Sequence, residues 1–214
     1  MYTLYIGDRN LSSWSLRPWV LMRAFEIEFC EQTIWLDRPD SQARIREVSP
    51  SGRVPCLHDG GTVIWDSLAI AEYLAERHRG LWPADATARA WARSATAEMH
   101  SGFAALREEF SMDLKLREVR TPSPRAAADI ARIEAIWREG RARFGRSGEF
   151  LCGGFGIVDA FWCPVAFRFR SYGIRPSGPA SAYCVALLAL PAMREWDDAA
   201  AREPDSQAVA GTAQ

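Results

Sequence analysis

Residues 53–70 read Arg53-Val54-Pro55-Cys56-Leu57-His58-Asp59-Gly60-Gly61-Thr62-Val63-Ile64-Trp65-Asp66-Ser67-Leu68-Ala69-Ile70. Val54 to His58 reads as a strand, Asp59-Gly60-Gly61 has hairpin-turn chemistry, and Thr62 to Trp65 is a second short strand. Asp66-Ser67 then caps a helix that Leu68, Ile70, Ala71 and Leu74 carry to about His78. Pro55 does not fit a plain hairpin, because it has no N–H to give to a ladder. It is either an edge-strand proline or a residue that turns the backbone for another purpose. If Val54-Pro55 is cis, the turned backbone exposes the Val54 amide and carbonyl to an extended peptide ligand.

Upstream, Tyr2 to Ile6 alternates as a short strand, and Gly7 to Asn10 is a loop. A helix begins at Ser12 or Ser13 and runs to about Phe25, with Pro18 in its first turn and Val20, Leu21 and Ala24 as its apolar stripe. Phe29 to Trp35 is a second strand, Asp37 to Ala43 a loop or short irregular helix, and Ser49-Pro50-Ser51-Gly52 a turn. The order is β-α-β and then β-β-α within residues 1–80, which suits a four-stranded sheet covered by helices.

Strand signals stop after Gly80-Leu81-Trp82-Pro83-Ala84-Asp85. Trp91, Ala95, Met99 and Phe103 share one helical face, and Ile130, Ile133 and Trp137 another. Ile157, Phe161 and Val165 make a third, with Pro164 expected to bend it. One helix ends at Leu187-Leu188, and Pro191 opens the next. The reading is therefore α/β followed by all-α: domains over 1–80 and 86–203, then a tail over 204–214 too poor in apolar residues to pack and expected to be mobile.

Composition removes several function classes. The 214 residues carry 26 Lys and Arg against 27 Asp and Glu, for a net charge of −1. A nucleic-acid binder needs a clustered basic excess, and the arginines here are interleaved with carboxylates. No apolar run reaches the length of a membrane span, and the first residues lack a signal peptide, so a cytoplasmic protein is expected. Five scattered cysteines without a CxxC pair and three dispersed histidines suggest neither a disulfide framework nor a metal site.

Three segments together resemble the bacterial cytosolic glutathione transferases, closest in motif to the serine-using zeta and theta classes. They are Ser12-Ser13-Trp14-Ser15-Leu16-Arg17-Pro18-Trp19, then Arg53-Val54-Pro55 with Asp66-Ser67-Leu68-Ala69-Ile70, then Gly156-Ile157-Val158-Asp159. The resemblance covers nearly the whole chain to about residue 200. It implies an N-terminal thioredoxin-like domain, a C-terminal helical bundle, a homodimer, and glutathione as substrate or cofactor with no metal. The partners implied are glutathione and a small electrophile, without nucleic acid or membrane, and the implied role is detoxification.

The implied site is specific. The cysteinyl part of glutathione would pair with Val54 at Pro55, and the hydroxyl of Ser67 with the helix start at Asp66 would hold the γ-glutamyl carboxylate. Arg53 would pair with the glycyl carboxylate, or is simply solvated. Ser12, with Ser13 as the close second, would donate to the glutathione sulfur and favour its thiolate; one of these serines is also a natural helix cap. Two departures matter. Trp14 stands where the zeta pattern has cysteine, which puts a maleylacetoacetate isomerase activity and disulfide exchange in doubt and places Trp14 in the electrophile pocket. Gly156 stands where a capping box usually opens with Ser or Thr. Arg168 and Arg170 are unusual near an apolar pocket and are expected either to be salt-bridged to the first domain or to attract an anionic second substrate. The leading function is glutathione transfer to an electrophile. The alternatives are a zeta-like cis-trans isomerase and a non-catalytic protein of the same fold.

Overall fold

The computed structural model describes residues 1–204. The expectation for a mobile tail falls, beyond Pro204, outside the described residues. Strands β1 (Tyr2–Ile6), β2 (Phe29–Thr33), β3 (Cys56–Asp59) and β4 (Thr62–Trp65) form one sheet in the order β2-β1-β3-β4. β1 is parallel to β2 and antiparallel to β3, with Leu4 opposite Glu31 on one side and Leu57 on the other. β1 buries Leu4 and Ile6 completely while its alternate residues are only half-buried, the period-two pattern of a strand with one covered face. The β3–β4 turn is Gly60-Gly61, and Gly60 takes φ +56, the left-handed conformation a tight hairpin requires. Helices α1 (Ser13–Ala24) and α3 (Ser67–Ala75) pack on each other and on the sheet, and α2 (Ser41–Val48) is tied to β3 by a 2.7 Å contact between the His58 ring and the Val48 carbonyl.

After α3 the described residues form six α-helices: α4 (Ala86–Ser101), α5 (Ala104–Glu109), α6 (Pro124–Arg143), α7 (Ile157–Ser171), α8 (Gly178–Ala189) and α9 (Pro191–Arg202). Among the described residues of this half, only isolated bridges around Phe150–Gly154 resemble strand pairing, and none joins the sheet. α7 is the axis of the bundle: every residue but Arg170 is buried, and it packs on α1, α4 and α8. Such a helix, buried on almost every face and apolar apart from Asp159, Arg168, Arg170 and Ser171, suits a core position. The Trp137 ring of α6 stands edge-on to Trp162 of α7 at 5.9 Å and to Tyr183 of α8 at 5.0 Å, locking three helices through aromatic contacts.

Sequence and structure part at a few places. Pro18 lies beyond the first turn of α1, yet the helix continues to Ala24; the Trp14 carbonyl is left without the N–H that Pro18 cannot supply. The segment expected to be a loop or short irregular helix over Asp37–Ala43 opens into a regular two-turn helix that starts only at Ser41 and runs on to Val48, with Ile45 as its one buried apolar residue. β2 ends at Thr33, two residues short of the expected Trp35. α5 was not anticipated: it starts after Phe103, whose φ of +61 turns the chain away from α4.

The loop between β1 and α1 is held from two sides. The Glu203 carboxylate accepts from the Arg9 and Asn10 amides at 2.8 and 2.9 Å, and the Trp196 indole donates to the Arg9 carbonyl at 2.9 Å. From the other side the Asn10 side-chain carbonyl accepts from the Leu114 and Lys115 amides at 2.8 and 3.0 Å. Four residues thus fix the path by which the chain enters α1.

Candidate active site

A cleft of about 490 Å³ opens beside the edge of the sheet, lined by Trp14, Ser51, Arg53, Val54, Pro55, Trp65, Asp66 and Ser67. All five residues expected to bind glutathione, Arg53, Val54, Pro55, Asp66 and Ser67, therefore meet in one place. The Val54-Pro55 peptide is cis, and both residues lie outside the β3 ladder, which begins at Cys56. Among the described residues no backbone hydrogen bond is made by the Val54 amide or carbonyl. That leaves an unpaired backbone edge at the cleft, the feature an extended peptide uses to add itself to a sheet. Arg53 is exposed at the rim.

The opposite wall is the start of α3. Asp66 takes φ +72, unusual for a residue with a side chain, and its carboxylate accepts from the Leu68 amide at 2.8 Å. It thereby caps α3, and Ser67 follows as the first helical residue, with its hydroxyl buried on the inner side. His100 of α4 brings its ring nitrogen within 3.3 Å of the other Asp66 oxygen. Burial, more than anything else, lowers the His100 pKa, and Arg17 and Arg107 push the same way against Asp66.

The serines of α1 lie behind this cleft and do not line it. Ser12 is the N-cap of α1: its hydroxyl accepts from the Ser15 amide at 3.4 Å and donates to the Ser15 hydroxyl at 2.7 Å. Ser15 in turn accepts from the Gly7 amide at 3.0 Å, so the Ser12 proton belongs to a closed local network. Ser13 is buried too, but its hydroxyl accepts from Nη2 of Arg168 at 3.3 Å and gives its own proton to no partner among the described residues. The α1 side chain that does enter the cleft is Trp14, 36% exposed.

Arg17, four residues after Ser13, is fully buried. Its guanidinium lies 4.1 Å from the Trp14 ring centre and 4.7 Å from that of Phe161, and its Nη1 donates to the Ser67 hydroxyl at 3.3 Å. Burial first, then Arg107 and Arg168, hold its pKa well below the ordinary guanidinium value. The helical spacing of Ser13 and Arg17 puts both on the face of α1 that meets α7, and this period is the signal that would have marked Arg17 as part of the site. Arg168, expected to be salt-bridged to the first half of the chain or to attract an anion, reaches that half through a hydrogen bond to Ser13, 155 residues away, and makes no ion pair there among the described residues. Arg170 does not reach the first domain: it pairs with Asp197 of α9, with one N–H to O distance of 2.8 Å.

A second cleft, about 390 Å³, lies at the connection between the two halves around Gly80–Ala84 and Phe155. None of the residues expected in the site lines it. At its edge the Leu81 carbonyl accepts from the Ile157 amide at 3.0 Å and would lie 2.8 Å from a Cβ at position 156. A serine or threonine at Gly156 would collide with that carbonyl, which explains the glycine at this helix start.

The family model for the N-terminal domain of glutathione S-transferases matches residues 11–77. A probable maleylacetoacetate isomerase of Caenorhabditis elegans is 34% identical over 101 residues, 46% of this chain and 46% of that protein's own length. A glutathione transferase homologue from Burkholderia, crystallised with bound glutathione, superposes with a TM-score of 0.68 at 22% identity, over 94% of this chain and 99% of that one. Glutathione transferase F2 of Populus trichocarpa superposes with a TM-score of 0.70 at 13% identity, over 95% of this chain and 100% of that one. Residues 11–77 thus match the N-terminal domain of glutathione S-transferases, and both halves of the chain share the fold of the solved glutathione transferases on which they superpose.

Proposed function

We propose that this chain is a glutathione transferase, which binds glutathione in the cleft between Val54 and Ser67 and stabilises its thiolate for attack on an electrophilic small molecule. The observation that carries this reading is the junction of an unpaired backbone edge at cis Val54-Pro55 with the N-terminus of α3 in one cleft. The first suits the extended cysteinyl portion of a peptide, and the second suits a carboxylate, because the Ser67 hydroxyl, which accepts from Arg17, still has its own proton to give and the helix dipole favours an anion there. Arg53 at the rim supplies a cation for the other end of the tripeptide. At the start of α1, Ser13 is the better placed of the two serines to donate to sulfur. Ser12 has already given its proton to Ser15, whereas Arg168 holds Ser13 by its oxygen and leaves its hydrogen available.

Retention on immobilised glutathione with elution by free glutathione tests the binding half of the reading. Ser67→Ala should weaken that retention and raise the KM for glutathione by roughly tenfold, the loss of a hydrogen bond to a charged group, with a smaller effect on saturated turnover. A wild-type protein that passes through the resin would instead be a non-catalytic member of the fold. The partial match to a probable maleylacetoacetate isomerase supports the second reading, glutathione-dependent cis-trans isomerisation. A substrate panel holding chloronitroarenes, peroxides and a cis-dienoate separates the two.

The same reading makes the protein a twofold dimer through α4. Ser94, Ala97 and Ser101 form a small-residue, exposed strip on that helix, which lets another subunit approach closely. Sedimentation should give twice the chain mass at micromolar concentration, and a monomer there would remove α4 as an interface.

A further inference from the structure

The turn that leads into α1 is gripped from the far end of the described chain. Arg9 and Asn10 are its central residues, and their amides donate to the two oxygens of the Glu203 carboxylate at 2.8 and 2.9 Å. Asp8 closes the turn, its carbonyl accepting from the Leu11 and Ser12 amides at 3.3 and 2.8 Å, and the Leu11 carbonyl accepts from the Ser13 amide at 3.0 Å. Short covalent and hydrogen-bonded steps therefore join the carboxylate to the backbone of both serines. Glu203 is itself pinned. It is the C-cap of α9, and its carbonyl accepts from Nζ of Lys115 at 2.7 Å. The Lys115 amide donates to the Asn10 side chain at 3.0 Å, so Glu203, Asn10 and Lys115 close a ring of contacts.

Glu203 is buried, and burial pushes its pKa up while the Asn10 and Arg9 amides pull it back. A buried carboxylate is costly to keep, and this one is committed to the backbone of the turn. The Arg9 guanidinium stands 3.9 Å away and makes its closer ion pair with Glu31. Ser13, at the other end of the chain of contacts, is held only by its oxygen, through Arg168. Where its proton points therefore follows from where the start of α1 lies. A displacement of about 1 Å in a reacting contact costs up to roughly a hundredfold in rate, so the anchor of that start bears on the chemistry.

We propose that Glu203 is a positioning residue for the glutathione reaction: by holding the Arg9 and Asn10 amides it sets the turn before α1, and through that turn the place of the Ser13 hydroxyl at the sulfur. The inference rests on the transferase reading above, in which Ser13 donates to the thiolate. Val54 precedes β3 and Ser67 opens α3, outside this ring of contacts, so the loss of Glu203 acts on the sulfur and leaves the rest of the glutathione cradle in place.

The test follows the ionisation of bound glutathione by the ultraviolet absorbance of its thiolate, which needs no second substrate, together with saturated turnover of a neutral chloronitroarene. Glu203→Ala should lower kcat roughly tenfold and raise the ionisation pH of bound glutathione by about half a unit to one unit, with the glutathione KM changed by less than about twofold. Glu203→Gln should fall between, because its amide oxygen still accepts from one of the two N–H groups. It is also the variant to read if Glu203→Ala folds poorly. In the Ser13→Ala background Glu203→Ala should cost nothing further, since both changes remove the same contact. Full addition of the two effects overturns the proposal. So does a fall in kcat that tracks the folded fraction while the ionisation pH stays put, which makes Glu203 a stabilising residue and no more. A raised glutathione KM with kcat intact assigns Glu203 to binding and overturns it too. Wild-type protein that fails to bind glutathione, or binds it without lowering its ionisation pH, removes the transferase reading and this inference with it. A lowered ionisation pH in the wild type that neither Glu203 variant moves leaves the transferase reading standing and sinks this inference alone.

Discussion

Asp159→Ala should cost about 3–6 kcal/mol of folding stability, because it strands three buried donors at once. One carboxylate oxygen accepts from the Leu151 amide at 3.0 Å and the Tyr183 hydroxyl at 2.9 Å, and the other accepts from the Gly156 amide at 3.0 Å. Asp159 is fully buried, so no water replaces it once the side chain is cut. The contacts also join three parts of the bundle: the turn before α7, the start of α7, and α8. A domain of ordinary stability has only about 5–15 kcal/mol in total, so the variant should lose much of its margin and melt roughly 10 °C or more below the parent. Asp159→Asn should fall between the two. It keeps an acceptor for Leu151 and Tyr183 but turns an N–H₂ group toward the Gly156 amide. Urea unfolding of both variants, followed by tryptophan fluorescence, measures the difference. A loss below about 1 kcal/mol for Asp159→Ala would mean that these donors find other partners.

The second large effect is expected at Ser13. If its hydroxyl stabilises the thiolate, Ser13→Ala should lower saturated turnover by about ten- to a hundredfold, the kinetic equivalent of one charge-assisted hydrogen bond. The same variant should raise the pH at which bound glutathione ionises by roughly one unit, since one pKa unit corresponds to about 1.4 kcal/mol of differential stabilisation. Glutathione affinity at a pH where the thiol is neutral should hardly change. Ser12→Ala should behave differently. Losing the N-cap of α1 costs about 1 kcal/mol of stability, and turnover should fall far less than for Ser13→Ala. A pH–rate profile with a neutral electrophile reads that ionisation in the ternary reaction. If Ser12→Ala is the slower enzyme, the closed Ser12–Ser15 pair opens on binding. If neither variant slows, a backbone amide or another side chain holds the sulfur.

Much of the candidate site's geometry was legible because it is built from local rules. The hairpin turn at Gly60-Gly61 and the cap at Asp66 each need particular residue types within a few positions, and such needs are written in sequence. Pro55 was legible for the opposite reason, as a residue that contradicts the strand around it. The resemblance supplied the ligand that these features fit. The choice between Ser12 and Ser13 was not legible: both are capping residues by type, and what separates them is Ser15 below one and Arg168 on the other. Long-range partners escape a local reading for a physical reason, since no backbone geometry connects positions so far apart. Arg170 illustrates this, being paired with Asp197 rather than with the first domain. Weak elements escape as well: α2 buries one apolar residue beside Ser41, and α5 spans six residues, too short for a helical period to stand out.

The clamp on the loop before α1 bears on the order in which the protein is made. Glu203 lies 194 and 193 residues from the Arg9 and Asn10 amides that it holds. During synthesis the N-terminal sheet and its helices emerge first and can pair among themselves, as domains generally do from the N-terminal side. The turn before Ser12 and Ser13 lacks both of its anchors at that stage; it gains the first with Leu114 and Lys115, and the second only when the ribosome has delivered α9 and Glu203. A nascent chain halted before that point would hold the cleft at Val54 and Asp66 while the turn leading to Ser12 and Ser13 remained incompletely fastened.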